Sequence, residues 1–238
     1  MIFSKNHSGR RGAWTMSILA TAVWIATMYL GHRQYSRGYI WGINFFTQGT
    51  AFLVVSLLVA DLHKALNREQ KLSRVDNLTG LSNSRSFHEK ASAVLSLCHR
   101  NEKPVTLAYV DMDNFKHAND THGHLYGDGL LKILAAVFHE NLRTSDLSAR
   151  MGGDEFVVLL PETRADDAGV VLEKIRRNVE EHPDFNACGV TVSIGAISYS
   201  HSPSEIGPMI KSADDVMYKV KKTGRNRIFV DNIENSAK

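Results

Sequence analysis

The sequence predicts an α/β domain, a sheet containing antiparallel strands flanked by helices, preceded by a pair of membrane-crossing helices. Three observations lead there. Long charge-free apolar runs are confined to the first quarter of the chain; helical and strand-like patterns alternate after Asp76; and two strand-like segments flank a Gly-Gly turn. At 238 residues there is room for one well-packed domain and an appendage. The formal net charge of +3 comes from scattered Lys and Arg with no basic stripe, so no nucleic-acid partner is predicted. The two cysteines, Cys98 and Cys188, form no CxxC pair, which argues against a disulfide framework or a zinc site.

The runs 13–31 and 40–60 lack charge, and each approaches the roughly 20 apolar residues that a bilayer-spanning helix needs. Residues 1–60 are therefore expected to be a two-helix membrane anchor. Lys5, Arg10 and Arg11 before the first run, and Lys64, Arg68 and Lys71 after the second, outnumber Arg33 and Arg37 between them, which predicts both ends in the cytoplasm. Trp14, Tyr29, Tyr35, Tyr39 and Trp41 stand where an interfacial aromatic belt would lie. In residues 61–75, Leu62, Leu66, Leu72 and Val75 recur among charged residues, as in a short amphipathic linker helix.

The soluble domain is expected over 76–232, with a tail at 233–238. Val105–Val110 is an apolar, β-rich run ending in Asp111-Met112-Asp113, which puts carboxylates at the C-terminal end of a strand, where ligands of such sheets bind. Polar residues follow, from Asn114 to Asp128, and then a core-facing helical pattern over 130–142. Next comes Arg150-Met151-Gly152-Gly153-Asp154-Glu155-Phe156, read as a β-hairpin with acids at its tip. Its glycines permit positive φ and close approach to a nucleotide, and successive carboxylates on a strand point to opposite sides. Asp111 and Asp154 beside a triphosphate would suit Mg²⁺, which takes one or two carboxylates together with phosphate oxygens.

In this order the motifs resemble the GGDEF domain, the catalytic module of diguanylate cyclases. The resemblance spans about 76–230. It rests on Asp76-Asn77-Leu78-Thr79-Gly80-Leu81 with Asn83, the run Asp111 to Asp120, His122-Gly123-His124, Gly127-Asp128 and the hairpin Gly152–Phe156. Ser193-Ile194-Gly195-Ala196, Ala213-Asp214, Met217-Tyr218, Lys221 and Gly224-Arg225-Asn226 complete it. Ser84 departs from the family, which often has Arg after Asn83, though Arg85 is adjacent.

The resemblance implies a palm-like nucleotidyl-cyclase domain in which two protomers, each holding one GTP, form cyclic di-GMP and two pyrophosphates. It implies Mg²⁺ as cofactor, with Mn²⁺ as a substitute, and a homodimer at the bacterial inner membrane with its catalytic domain in the cytoplasm. By position, Asp111, the Met112 carbonyl, Asp154 and Glu155 would bind metal, and Asp154, Glu155 and Lys116 would be catalytic. Asn119 and Asp128 would read guanine, with His124, Asn114 and Phe115 also on the substrate and Lys221 and Arg225 on its phosphates. Arg143 and Asp146 resemble the family's RxxD site for inhibition by product.

The chemistry of these residues agrees. A 3′-hydroxyl attacking an α-phosphorus needs a carboxylate to take its proton, and cations along the phosphates. Guanine offers N1 and N2 donors and an O6 acceptor, matching a carboxylate and an amide, whereas adenine matches them poorly. His122 and His124 at i and i+2 are a weak zinc pattern, and Gly123–Gly129 lacks P-loop spacing. Asp166-Asp167 and Glu180-Glu181 read as solvated helix faces without a role.

Overall fold

The computed structural model describes residues 39–233 and, before them, Leu19, Ala22, Val23 and Ala26. The run 13–31 thus lies outside the described residues apart from those four. The chain divides into two compact units, 1–72 and 73–238.

In the first unit, one helix, α1 (Tyr39–Leu72), takes in both the second apolar run and most of the segment read as a separate linker. No Gly or Pro lies between Ala60 and Leu72 to end it. Gly42–His63 is long and apolar enough to cross a membrane, the one such stretch among the described residues. Thr47 and Thr50 return their hydroxyls to the carbonyls four residues back, so neither adds an unpaired polar group to that surface.

The second unit is built on a six-stranded mixed sheet. Its elements, in chain order, are β1 (Ser82–Asn83), α2 (Ser84–Arg100), β2 (Val105–Asp113), α3 (Phe115–His122), α4 (His124–Asn141), β3 (Leu147–Gly152), β4 (Glu155–Pro161), α5 (Ala165–Glu181), α6 (Pro183–Cys188), β5 (Thr191–Tyr199), α7 (Ile206–Lys222) and β6 (Ile228–Ile233). The spatial order is β1-β3-β4-β2-β5-β6. β2 runs antiparallel to β4 and β5, whereas β1 with β3 and β5 with β6 are parallel pairs.

Alternation along the strands sorts the core into two layers. Ala108, Val110 and Met112 of β2 face α4 and α5, where Leu130, Leu134, Phe138, Leu172 and Ile175 are buried. Val105, Leu107 and Tyr109 face α2 and α7, against Phe87, Leu95, Met209 and Met217. Both faces being covered, β2 is buried along all nine residues, and the expected strand end at Val110 gives way to a strand that continues through Asp113. The acids of Asp111-Met112-Asp113 therefore sit inside the sheet, on the α7 side. Asn83 caps α2 by accepting from the Ser86 N–H at 2.9 Å, while its amide donates to the Ser73 carbonyl at 2.6 Å and fixes where the chain enters the domain.

α7 touches β5 without intervening side chains. A Cβ at Gly195 would stand 2.0 Å from the Met217 nitrogen and 2.6 Å from the Val216 carbonyl carbon, backbone atoms that cannot rotate away. Gly195→Ala is therefore expected to destabilise the protein by about 2 to 3 kcal/mol, seen as a lower urea midpoint. Gly169, inside α5 with no atom within 4 Å of such a Cβ, is the control. Gly169→Ala should add about 0.5 to 1 kcal/mol, and an unchanged midpoint for Gly195→Ala would show that α7 can lift off the sheet.

Candidate active site

Three acids meet where β2 reaches the β3–β4 turn. Asp111 is paired in register with Glu155 on one side and Ser193 on the other, and the Met112 N–H donates to the Asp154 carbonyl at 3.3 Å. That bond fastens the hairpin tip to the central strand. Asp111 is 6% exposed and ion-paired with Lys221 from the last turn of α7. Burial raises its carboxyl to about 6; Lys221 opposes that shift, and Asp154 and Glu155 add to it. Glu155 lies diagonally across from Tyr109 of β2, two residues from Tyr109's own partner Val157. Burial first, and then Glu155, Asp214 and Asp111, raise the Tyr109 hydroxyl well above its usual range, so it remains a donor. Asp154, in the turn itself, is half-buried, and none of the described residues bonds to its carboxylate.

The donor set of carboxylates and main-chain carbonyls suits a hard divalent cation. Among the described residues, no three His, Cys, Asp or Glu side chains are grouped so as to hold a metal ion by themselves.

The hairpin turns on Gly152 and Gly153, at φ +154° and +55°, with a register break between Arg150 and Gly152. Its shape is held by a residue the sequence reading passed over. Arg150 donates through Nε and Nη2 to the Gly153 carbonyl, at 2.9 and 2.7 Å, and through Nη1 to Asp76 Oδ1 at 3.1 Å. Asp76 Oδ1 also accepts from the Thr79 N–H and hydroxyl, at 3.0 and 2.7 Å. The opening motif is thus a brace for the hairpin. An Arg ahead of a Gly-Gly turn has no periodicity to mark it, and only the parallel β1–β3 pairing, with Asn83 opposite Arg150, brings it near Asp76.

The second group of predicted residues lies on α3 and α4. Asn119 rests on Gly127: a Cβ there would stand 2.0 Å from Asn119 Oδ1. That oxygen is buried and accepts no hydrogen bond among the described residues. Asp128 is the next residue along α4, half-buried, with no partner for its carboxylate among the described residues. Lys116 and His124 are exposed. Asn114, at φ +61°, gives its amide to the Gly189 carbonyl at 3.2 Å, and Phe115 packs on the core, so both side chains have local structural tasks. His122 stacks on Tyr126 at 4.8 Å between ring centroids.

Arg143 and Asp146 lie in the turn between α4 and β3. Asp146 Oδ2 accepts from the Arg143 N–H at 2.8 Å, and its own N–H returns to the Arg143 carbonyl at 3.0 Å. The Arg143 side chain is exposed and makes no ion pair among the described residues. Glu180 is exposed, as its place on a solvated face predicts, and also has two partners: Arg176 at 2.8 Å and the Asn226 amide at 2.7 Å. Helical spacing shows a residue's neighbours on its own helix and hides a partner 46 positions away.

If the Asp76–Arg150 brace holds the hairpin, Arg150→Ala should cost about 2 kcal/mol and speed amide exchange at 152–155, while Arg150→Lys, without the fork, should recover little of either. Burial raises the Asp76 carboxyl, but the bonds from Thr79 and then Arg150 outweigh it and hold it below its ordinary value of 3.8. A depressed carboxyl stabilises the fold above its unfolded value and stops doing so as pH falls through the folded one. The hairpin of the parent protein should therefore loosen below about pH 4, and protection factors there that match those at neutral pH would dismiss the brace.

Residues 73–227 match the family described as diguanylate cyclase, GGDEF domain. Diguanylate cyclase DgcP of Pseudomonas aeruginosa is 35% identical over 170 residues, 71% of this chain and 25% of that protein. The response regulator PleD of Caulobacter vibrioides is 35% identical over 172 residues, 70% of this chain and 38% of its own length. The chain thus spans well under half of either relative. Among solved structures, the GGDEF domain of DgcB from Caulobacter crescentus, in complex with c-di-GMP, superposes with a TM-score of 0.60 at 30% identity, covering 66% of this chain and 92% of that one. With its hairpin, palm-like mixed sheet and flanking helices all in place, the chain belongs to the GGDEF domain family of diguanylate cyclases.

Proposed function

We propose that this protein is a diguanylate cyclase that condenses two GTP into cyclic di-3′,5′-GMP and two pyrophosphates, working as a homodimer. The observation behind the reading is the convergence of Asp111, Asp154 and Glu155 at one braced point, with Asp154 free of partners among the described residues. A scaffold acid would be satisfied; this carboxylate is left to meet a ligand.

The nucleotide's guanine falls to Asn119 and Asp128. The buried Asn119 oxygen without a donor and the unpaired Asp128 carboxylate both lack what the N1–H and N2–H of guanine supply. Lys116, Lys221 and Arg225 hold the phosphates, with Asn114, Phe115 and His124 shaping the wall next to them. Lys221 must then turn from Asp111 toward the triphosphate as the site fills. Asp111, the Met112 carbonyl, Asp154 and Glu155 would hold Mg²⁺, or Mn²⁺ in its place, and the cation would neutralise the phosphate charge and the leaving pyrophosphate. Asp154 takes the proton from the 3′-hydroxyl as that oxygen attacks the α-phosphorus of the GTP on the other protomer, and Lys116 faces the charge that builds up there. Each protomer supplies half the machinery, and two such attacks close the ring.

The apolar stretch Gly42–His63 supports anchoring at a bacterial inner membrane; the reading extends to a two-helix, multi-pass anchor with the catalytic unit in the cytoplasm. The exposed Arg143 guanidinium beside Asp146 supports a product-binding site, since Arg grips guanine or phosphate with two parallel bonds.

Purified full-length protein given GTP and Mg²⁺ should release pyrophosphate and form cyclic di-GMP, and Asp154→Asn should reduce the rate by about 10³-fold with GTP binding retained. A parent that binds GTP without making the cyclic product would refute the enzyme reading. Gly127→Ala is a separate test of base recognition, because the atom it meets is the end of a side chain that can move. Its unfolding midpoint should stay close to that of the parent, while the preference for GTP over ATP should fall about tenfold.

A further inference from the structure

Past α7 the chain makes a turn of unusual shape. Gly224, Arg225 and Asn226 have φ of +122°, +58° and +45°, so two consecutive residues with side chains lie in the left-handed region. Such a backbone persists only where its surroundings over-determine it. Here they do so from two directions. The Asn226 N–H donates to Asp113 Oδ2 at 3.2 Å, and Asp113 is itself buried in β2, accepting from Thr191 and Ser193 hydroxyls at 2.8 Å each. The Asn226 side chain reaches the other way, to α5. Its oxygen accepts from Arg176 Nη1 at 2.9 Å, and its amide donates to Glu180 Oε1 at 2.7 Å. Arg176 is bound in turn to Glu173 and Glu180, and its side chain is only 12% exposed.

We infer that Asn226 is a positioning residue that clamps the turn between β2 and α5 and so presents Arg225 to the phosphates of the bound nucleotide. The inference rests on Arg225 as a phosphate ligand in the reading above. Arg225 leaves the turn 58% exposed, with its Nε 3.9 Å from Asp113, too long for a tight pair. Its backbone is held while its guanidinium stays available. Nothing in the clamp touches Asn119 or Asp128, so the clamp acts on phosphate and not on base. Asn suits the position doubly, since it tolerates positive φ and gives one donor and one acceptor to the oppositely charged partners on α5. Aspartate would set a carboxylate against Glu180, and glycine would keep the backbone but lose both contacts.

The test is a double-mutant cycle on the full-length chain, reading affinity for a GTP analogue whose α–β bridge is a methylene, with Mg²⁺ present. Asn226→Gly keeps the left-handed backbone and the N–H to Asp113, and is expected to weaken analogue binding about tenfold, with an unfolding midpoint near that of the parent. Arg176→Met, which breaks the clamp from the α5 side, should do the same. Adding Asn226→Gly to Arg225→Ala should then cause no further loss, because both act through one guanidinium. In turnover, the change should appear in KM for GTP with kcat nearly constant. Additive losses in the double variant, or undiminished binding in Asn226→Gly, would overturn the inference. A parent that binds the analogue but makes no cyclic product sinks the cyclase reading alone, and one that does not bind it sinks both.

Discussion

The site depends on β2 being paired on both sides and covered on both faces. A strand so enclosed gives its residues no water, and a carboxylate placed in it must find donors in the protein or shift toward its neutral form. β2 contains two such carboxylates, two residues apart and on the same face, and they resolve the problem differently. Asp113 takes hydroxyl bonds from Thr191 and Ser193 and a main-chain bond from Asn226, and becomes part of the framework. Asp111, paired in register with Glu155 of β4, has Lys221 as its counter-charge and two acids nearby. A lysine is a mobile partner on a flexible stem, so Asp111 remains open to exchange for a cation in a way that Asp113 does not.

The placing of Lys221 follows from packing rather than from charge. α7 can lie against β5 only because Gly195 has no side chain, and that contact sets how far the last turn of the helix projects over the end of β2. The hairpin is positioned likewise by groups remote in sequence. Asp76, Thr79 and Arg150 hold the Gly153 carbonyl, while the Met112 N–H holds that of Asp154. Two carbonyls of adjacent residues tied to different elements leave the tip little freedom, and a tip with little freedom brings its acids to the same place each time.

What could be read from the sequence was whatever a short window contains. The strand at 105, the glycine turn and the apolar face of α4 have local periodicity or local turn chemistry, and the ordered motifs point to one family. Three things fell outside any window. The end of β2 was placed early, because acids within a fully buried strand look like the loop after it until the pairing with Glu155 and Ser193 is known. Arg150 and Asp76 are 74 positions apart, and Arg176 and Asn226 are 50 apart, so neither contact leaves a pattern. The third was the continuity of α1, in which the apolar run and most of the amphipathic segment after it form one helix.

A distinction between framework and ligand-facing groups emerges from the hydrogen bonds themselves. Asp76, Asp113, Arg150, Arg176 and Asn226 each have their polar atoms bound by partners from separate elements. Among the described residues, the Asp128, Asp154, Lys116 and Arg143 side chains have no such partner, and Asn119 keeps a buried oxygen without a donor. Leaving a half-buried polar group unpaired costs folding free energy that a satisfied substitute would recover. Asn119, Asp128 and Asp154, on α3, α4 and the hairpin turn, are half-buried and unpaired among the described residues, while Asp113, Arg150 and Asn226 are bonded, and that contrast separates the two kinds of residue on physical grounds.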